Sequence, residues 1–149
     1  MQKFDLSIVS CEIGSILIFT KDGICEKIEL SNDYYEPRGE NIFTLQICEY
    51  LSGKRKEFDF PVRYSSGPVF EKIWKSLKEN VPYGRIITYG ELARICDVNP
   101  RVVGYAMAMN RLPLYIPCHR VVGKNSLGGF NGKNGLKWKE YLLRLEGSI

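Results

Sequence analysis

Cys118 and His119 adjoin one another inside Ile116-Pro117-Cys118-His119-Arg120-Val121-Val122, and His119 is the single histidine of the 149 residues. A thiol becomes a useful nucleophile when a base or a positive charge stabilises its thiolate. An imidazole next to a cysteine, in an apolar segment stiffened by proline, has the right chemistry for that. An ordinary explanation stands beside it: a cysteine in an apolar run is commonly a small, inert core residue, and its neighbour is then incidental. The heptapeptide alone leaves both readings open.

The remaining cysteines, Cys11, Cys25, Cys48 and Cys96, bring the total to five, widely spaced and with no C-x-x-C pair. An odd number without paired spacing argues against a disulfide framework and against a zinc finger. A reducing interior compartment follows. Met1 to Asp5 shows no basic segment leading into a long apolar region, so no signal peptide is expected. No stretch approaches the roughly 18 apolar residues of a membrane span. Charge is unevenly spread: residues 1–65 hold 8 Lys/Arg against 11 Asp/Glu, and residues 66–149 hold 13 against 6. Such polarisation suggests that the C-terminal half meets a polyanion.

The elements that must position the cysteine can be read from pattern. Phe4 to Ile8, Ile16 to Phe19 and Ile24 to Ile28 read as strands, with Lys21-Asp22-Gly23 as a hairpin turn. Asn41 to Leu51 carries Ile42, Phe43, Leu45, Ile47, Tyr50 and Leu51 at mostly helical spacing, closed by Ser52-Gly53. Lys54 to Pro61 reads as a short charged edge strand. Tyr64 to Pro68 is polar and rich in turn formers, a credible junction. Beyond it Val69, Phe70, Ile73, Trp74 and Leu77 form one apolar helical face.

Thr88-Tyr89-Gly90-Glu91 matches a capping box before a further helix. Asn99-Pro100 opens another, with Asn99 as cap, and Pro113 prevents its continuation. Two short helices joined by Cys96-Asp97-Val98 have the layout of a helix-turn-helix. Gly104, Ala106 and Ala108 let the second helix lie close against another surface, and Arg101 can reach outward from its first turn. Gly123 to Gly132 is rich in glycine, which permits backbone approach to a ligand, but it lacks the spacing of a phosphate-binding loop. Leu136 to Glu146 closes the chain as an amphipathic helix with Tyr141, Leu142 and Leu145 on one face.

With these residues in view, the chain resembles the O6-alkylguanine-DNA alkyltransferases, the methylated-DNA–protein-cysteine methyltransferases. Pro117-Cys118-His119-Arg120 resembles their active-site signature. Val81 to Tyr89, Asn99 to Gly104, Asn110 with Pro113, Gly128-Gly129-Phe130 and Leu142 to Gly147 occur in the family's order. The resemblance covers about residues 68–147. It implies that Cys118 is the acceptor thiol, ionised in a cavity that an everted purine enters. His119 would deprotonate it through a water, with Glu146 orienting His119. Tyr89 would rotate the target phosphate and donate a proton toward the leaving guanine. Arg101 would fill the gap left in the base stack, Asn110 would hold the turn into the cysteine segment, and Val121 with the Asn131 segment would border the guanine pocket. Phe130 stands where the family usually has a tyrosine.

The resemblance also implies direct, single-turnover repair of O6-alkylguanine in double-stranded DNA, entered through the minor groove, and leaves O4-methylthymine open as a second substrate. The implied protein needs no cofactor and no metal, has no membrane partner, and acts as a monomer. Its expected place is the cytoplasm, nucleoid-associated, or the nucleus in a eukaryote. The fold expected is an α/β N-terminal unit with a small antiparallel sheet plus helix, residues 1–64, supporting a mostly α, helix-turn-helix or winged-helix-like C-terminal domain, residues 65–149. Three rivals remain: a damage sensor of the related alkyltransferase-like group, which replaces the acceptor cysteine; a winged-helix transcription factor; and a thiol hydrolase, whose cysteine and histidine normally come from separate segments.

Overall fold

Period-two alternation near the start of the chain builds an antiparallel sheet in the order β1-β2-β3, from β1 (Asp5–Cys11), β2 (Gly14–Lys21) and β3 (Ile24–Ser31). In the computed structural model, residues 3–64, 66–129 and 135–149 are described, and the chain divides into two units, Met1–Ser65 and Ser66–Ile149. Ile16 and Ile18 of the central strand are fully buried, two residues apart and so on the same face. Ile16 pairs with Val9 and Leu30, and Ile18 with Ser7 and Ile28. Asp22 and Gly23 join β2 to β3 with φ of 52° and 77°. Two successive left-handed residues match the twist of the flanking strands.

Helix α1 (Ile42–Leu51) begins at Asn41, whose side chain accepts from the amides of Phe43 and Thr44. The Asn41 amide also donates to Ser7 Oγ at 2.8 Å, tying the helix start to β1. The helix buries Phe43, Ile47 and Tyr50, while Ile42 and Leu45 are exposed. The expected strand over Lys54 to Pro61 does not form. Its alternation does turn Phe58 and Phe60 inward, against Tyr50 and Phe43. The backbone finds other partners instead: the Asp59 amide donates to the Gln46 side chain, and only Val62 bridges to Cys25 of β3. A side-chain amide has taken the place of a ladder.

In the second unit, α2 (Pro68–Asn80) buries Ile73, Trp74 and Leu77 and leaves Val69 exposed. The Trp74 indole donates to the Ala106 carbonyl at 2.8 Å. That bond joins α2 to α4 (Pro100–Ala108). Helix α3 (Tyr89–Cys96) starts from the expected Thr88–Glu91 capping box and ends at Asp97, φ 56°. Asn99 caps α4 through the Arg101 amide. Pattern alone did not anticipate a two-stranded parallel pairing of β4 (Ile87–Thr88) with β5 (Val121–Val122). Two-residue strands carry no readable alternation. The last helix, α5 (Gly135–Leu145), packs against the turn Cys118–Arg120. Its buried residues are Gly135, Trp138, Lys139, Leu142 and Leu143, so Tyr141 and Leu145 lie beside the buried stripe, not at its centre.

Candidate active site

β4 runs directly into α3, and β5 follows directly on the cysteine turn. Pairing Ile87 with Val121 and Thr88 with Val122 therefore brings Tyr89, first residue of α3, to the cysteine turn. Burial raises the Tyr89 hydroxyl above its ordinary pKa, and the Cys118 charge adds to that.

Cys118 is 6% exposed. Its sulfur lies 3.0 Å from Asn110 Nδ2, and the same amide donates to the Ile116 carbonyl at 3.1 Å. Asn110 Oδ1 accepts from the Leu112 amide at 2.9 Å. One side chain thus spans the turn from the end of α4 to the cysteine. The turn contains Leu114 at φ 77°, a left-handed position costing a non-glycine residue roughly 1–2 kcal/mol. Burial of the Leu114 side chain and the Asn110 bonds hold it there. Burial pushes the Cys118 thiol up to about 11, against the lowering effects of the Asn110 bond and the Lys139 charge. Burial thus acts against the expected ionised sulfur, because a thiolate there loses the water that would solvate it.

His119 and Glu146 are both buried, and His119 Nε2 lies 2.8 Å from Glu146 Oε2. Burial lowers the His119 pKa, with the Glu146 bond opposing, so the ring is neutral. A neutral ring that donates Nε2–H to a carboxylate carries its lone pair on Nδ1, which is also buried. Burial alone would raise the Glu146 carboxyl, but bonds from His119 and Arg120, with their charges, bring it down to about 2. Arg120 makes a two-pronged contact with that carboxylate, Nε to Oε1 at 2.8 Å and Nη2 to Oε2 at 3.0 Å. Its Nη1 donates to the Val81 carbonyl at 2.8 Å. Arg120 thus holds the end of α2, the cysteine turn and the end of α5 together.

Arg101 is exposed in the first turn of α4. Val121 is fully buried, and its carbonyl accepts from Lys139 Nζ at 2.7 Å. Phe130 and Asn131 lie outside the described residues. Two features escaped sequence reasoning. Gly128, φ 76°, lies so close to Tyr89 that a methyl group there would stand 3.2 Å from the ring edge and from the hydroxyl. Lys139 is fully buried, with Nζ also donating to the Gly129 carbonyl at 3.2 Å. The signal for Lys139 was present: positions 135, 138, 139, 142, 143 and 146 recur at helical spacing, and the lysine falls within that stripe.

All five cysteines are free thiols. Among the described residues no three His, Cys, Asp or Glu side chains gather as metal ligands, and no helix is long and apolar enough to cross a membrane.

The family model described as "6-O-methylguanine DNA methyltransferase, DNA binding domain" matches residues 68–148. The chain belongs to that family. A methylated-DNA–protein-cysteine methyltransferase of Methanopyrus kandleri is 42% identical over 101 residues, spanning 67% of this chain and 75% of the relative. The crystal structure of the Mycobacterium tuberculosis O6-methylguanine methyltransferase superposes with a TM-score of 0.84 at 26% identity, covering 98% of this chain and 94% of that one. A crystal structure of Mycobacterium tuberculosis OGT in complex with DNA matches with a TM-score of 0.82, also at 26% identity, over 96% of this chain and 93% of the other. The small antiparallel sheet followed by helices is thus the fold of the methyltransferase family.

Proposed function

We propose that this protein is a methylated-DNA–protein-cysteine methyltransferase that transfers the alkyl group of O6-alkylguanine in duplex DNA to Cys118, once per chain. The observation that carries the reading is the cysteine turn itself: a thiol held by Asn110, next to a neutral histidine anchored on a buried carboxylate. Kinship with enzymes of that name supports it. In this reading the Cys118 proton passes through a water to His119, and Glu146 steadies the imidazolium that forms. A resting thiol with a high pKa and a neutral base suit deprotonation coupled to substrate entry. The sulfur–carbon bond forms as the carbon–O6 bond breaks, and Tyr89 donates a proton to the departing guanine. The imidazolium then returns its proton, by way of solvent, to the tyrosinate, so that the one proton lost by the thiol is the one gained by the purine. A thioether is stable, so the protein is consumed.

The alkylated oxygen lies within the duplex, so the nucleotide must be turned out of the stack at a cost of a few kcal/mol. We read α3 and α4 as the helix-turn-helix, in a winged-helix-like setting, that enters the minor groove, with Arg101 filling the vacated place. Residues 65–149 serve as the DNA-binding and acceptor domain, bordered at the guanine by Val121, Phe130 and Asn131, and residues 1–64 support it. The excess of Lys and Arg over residues 66–149 suits phosphate contacts, which make binding salt-dependent. The test is intact mass after incubation with a duplex carrying one O6-methylguanine. One methyl gained per chain, and none in C118A despite retained DNA binding, is the expected result. Turnover beyond one methyl per chain, or methyl on C118A, overturns the reading.

A further inference from the structure

A lysine with no exposed surface is rare, because its ammonium must exchange water for other partners. Lys139 meets that need with the carbonyls of Val121, directly after the cysteine turn, and Gly129, in the glycine-rich segment. Two carbonyl dipoles fix the ammonium but do not neutralise it. Arg120, a second cation at the cysteine turn, is already committed to Glu146 and the Val81 carbonyl. His119 is neutral. Among the described residues, the positive charge that acts on the Cys118 sulfur is the one on Lys139.

We propose that Lys139 is a positioning residue of the acceptor site, its carbonyl-locked ammonium serving as the fixed counter-charge to the Cys118 thiolate. The inference rests on Cys118 being an acceptor thiol. Lys139 neither gives nor takes a proton; the thiol proton goes to His119. Among the described residues, the groups that face it come from the cysteine turn, β5 and α3. From the cysteine turn, Cys118 and His119 both respond to its charge. β5 contributes only Val121 and Val122, and α3 contributes Tyr89, which responds to Cys118. Burial lowers Lys139 itself to about 8, with the Cys118 charge opposing, so the charge is present at neutral pH.

The test reads the thiol without DNA. At neutral pH, where the Lys139 charge is present, the rate of Cys118 alkylation by iodoacetamide, with C118A as the blank, is compared in the wild type, in K139M and in K139R. Loss of the ammonium is expected to slow alkylation about tenfold, the thiolate population lost in one pKa unit, and arginine to restore it. K139M reacting as the wild type overturns the proposal. If K139M does not fold, the pH profile of wild-type alkylation serves: its rise with pH should flatten where Lys139 loses its proton, at about 8, and a rise that continues unbroken overturns the proposal. A wild type that takes no methyl from DNA yet shows this coupling would sink the transfer reading and leave the counter-charge standing.

Discussion

His119 Nε2 and Glu146 Oε2 lie 2.8 Å apart with side-chain exposures of 1% and 0%, although 27 residues separate them in the chain. The carboxylate is also the one that Arg120 grips. Removing it leaves a guanidinium buried beside a neutral ring, and breaking a buried pair in this way typically costs about 3–5 kcal/mol. E146A is expected to lose stability of that order and to transfer methyl far more slowly. Urea denaturation and single-turnover mass spectrometry check the two effects separately.

Acid should weaken the protein in two stages. His119 is held below its usual 6.5, so below about that pH the unfolded chain binds a proton that the folded one refuses, and stability falls. Glu146 lies at about 2 against an ordinary 4.5. Its contribution is complete above 4.5 and is lost as the pH descends toward 2. Urea midpoints from about pH 7 to about pH 3 should therefore decline from the start and steepen in the lower half. In E146Q the lower stage should vanish. A wild-type midpoint unchanged down to 4.5 would contradict the assignment of His119 as buried and neutral.

Asn110 donates to the sulfur while bracing the turn that follows α4. N110A removes a bond that lowers the thiol pKa and frees the strained Leu114 turn. Methyl transfer at neutral pH should slow by roughly tenfold, the equivalent of one lost hydrogen bond to a charged group. Pre-steady-state transfer against pH checks this: the deficit should shrink as the pH rises, since hydroxide replaces the missing assistance.

Gly128 combines φ 76° with close approach to Tyr89. G128A should cost about 1 kcal/mol from the backbone alone, and its methyl must push the tyrosine ring aside. Transfer should suffer while binding to unmodified duplex is kept. Fluorescence anisotropy on plain DNA, beside transfer on methylated DNA, separates the two.

In the first unit, Asn41 caps α1 and reaches Ser7 of β1. N41A is expected to cost about 1–2 kcal/mol in a thermal or urea melt. Transfer on methylated DNA should remain at the wild-type rate while the protein is folded.

Much of this architecture was legible before any coordinates. Asp22-Gly23 demanded a tight turn, and Thr88 with Glu91, and Asn99 with Pro100, announced helix starts because caps are local hydrogen bonds between residues two or three apart. The cysteine turn was legible because its residue types are chemically unusual together. Local rules also misled: Lys54 to Pro61 alternates like a strand, yet the Gln46 side chain occupies its backbone. What sequence could not decide is which distant groups meet. The parallel pairing of β4 with β5 rests on two residues each, too few to leave a pattern, yet it brings Tyr89 to Cys118. Lys139 falls within the readable stripe of α5, but which groups its ammonium meets is decided by the packing of α5 on the cysteine turn. Residue identity set which chemistry was available. Packing set the burial and the bonding partners of each group, and with them the direction in which each pKa moves: the thiol up, the histidine and the glutamate down.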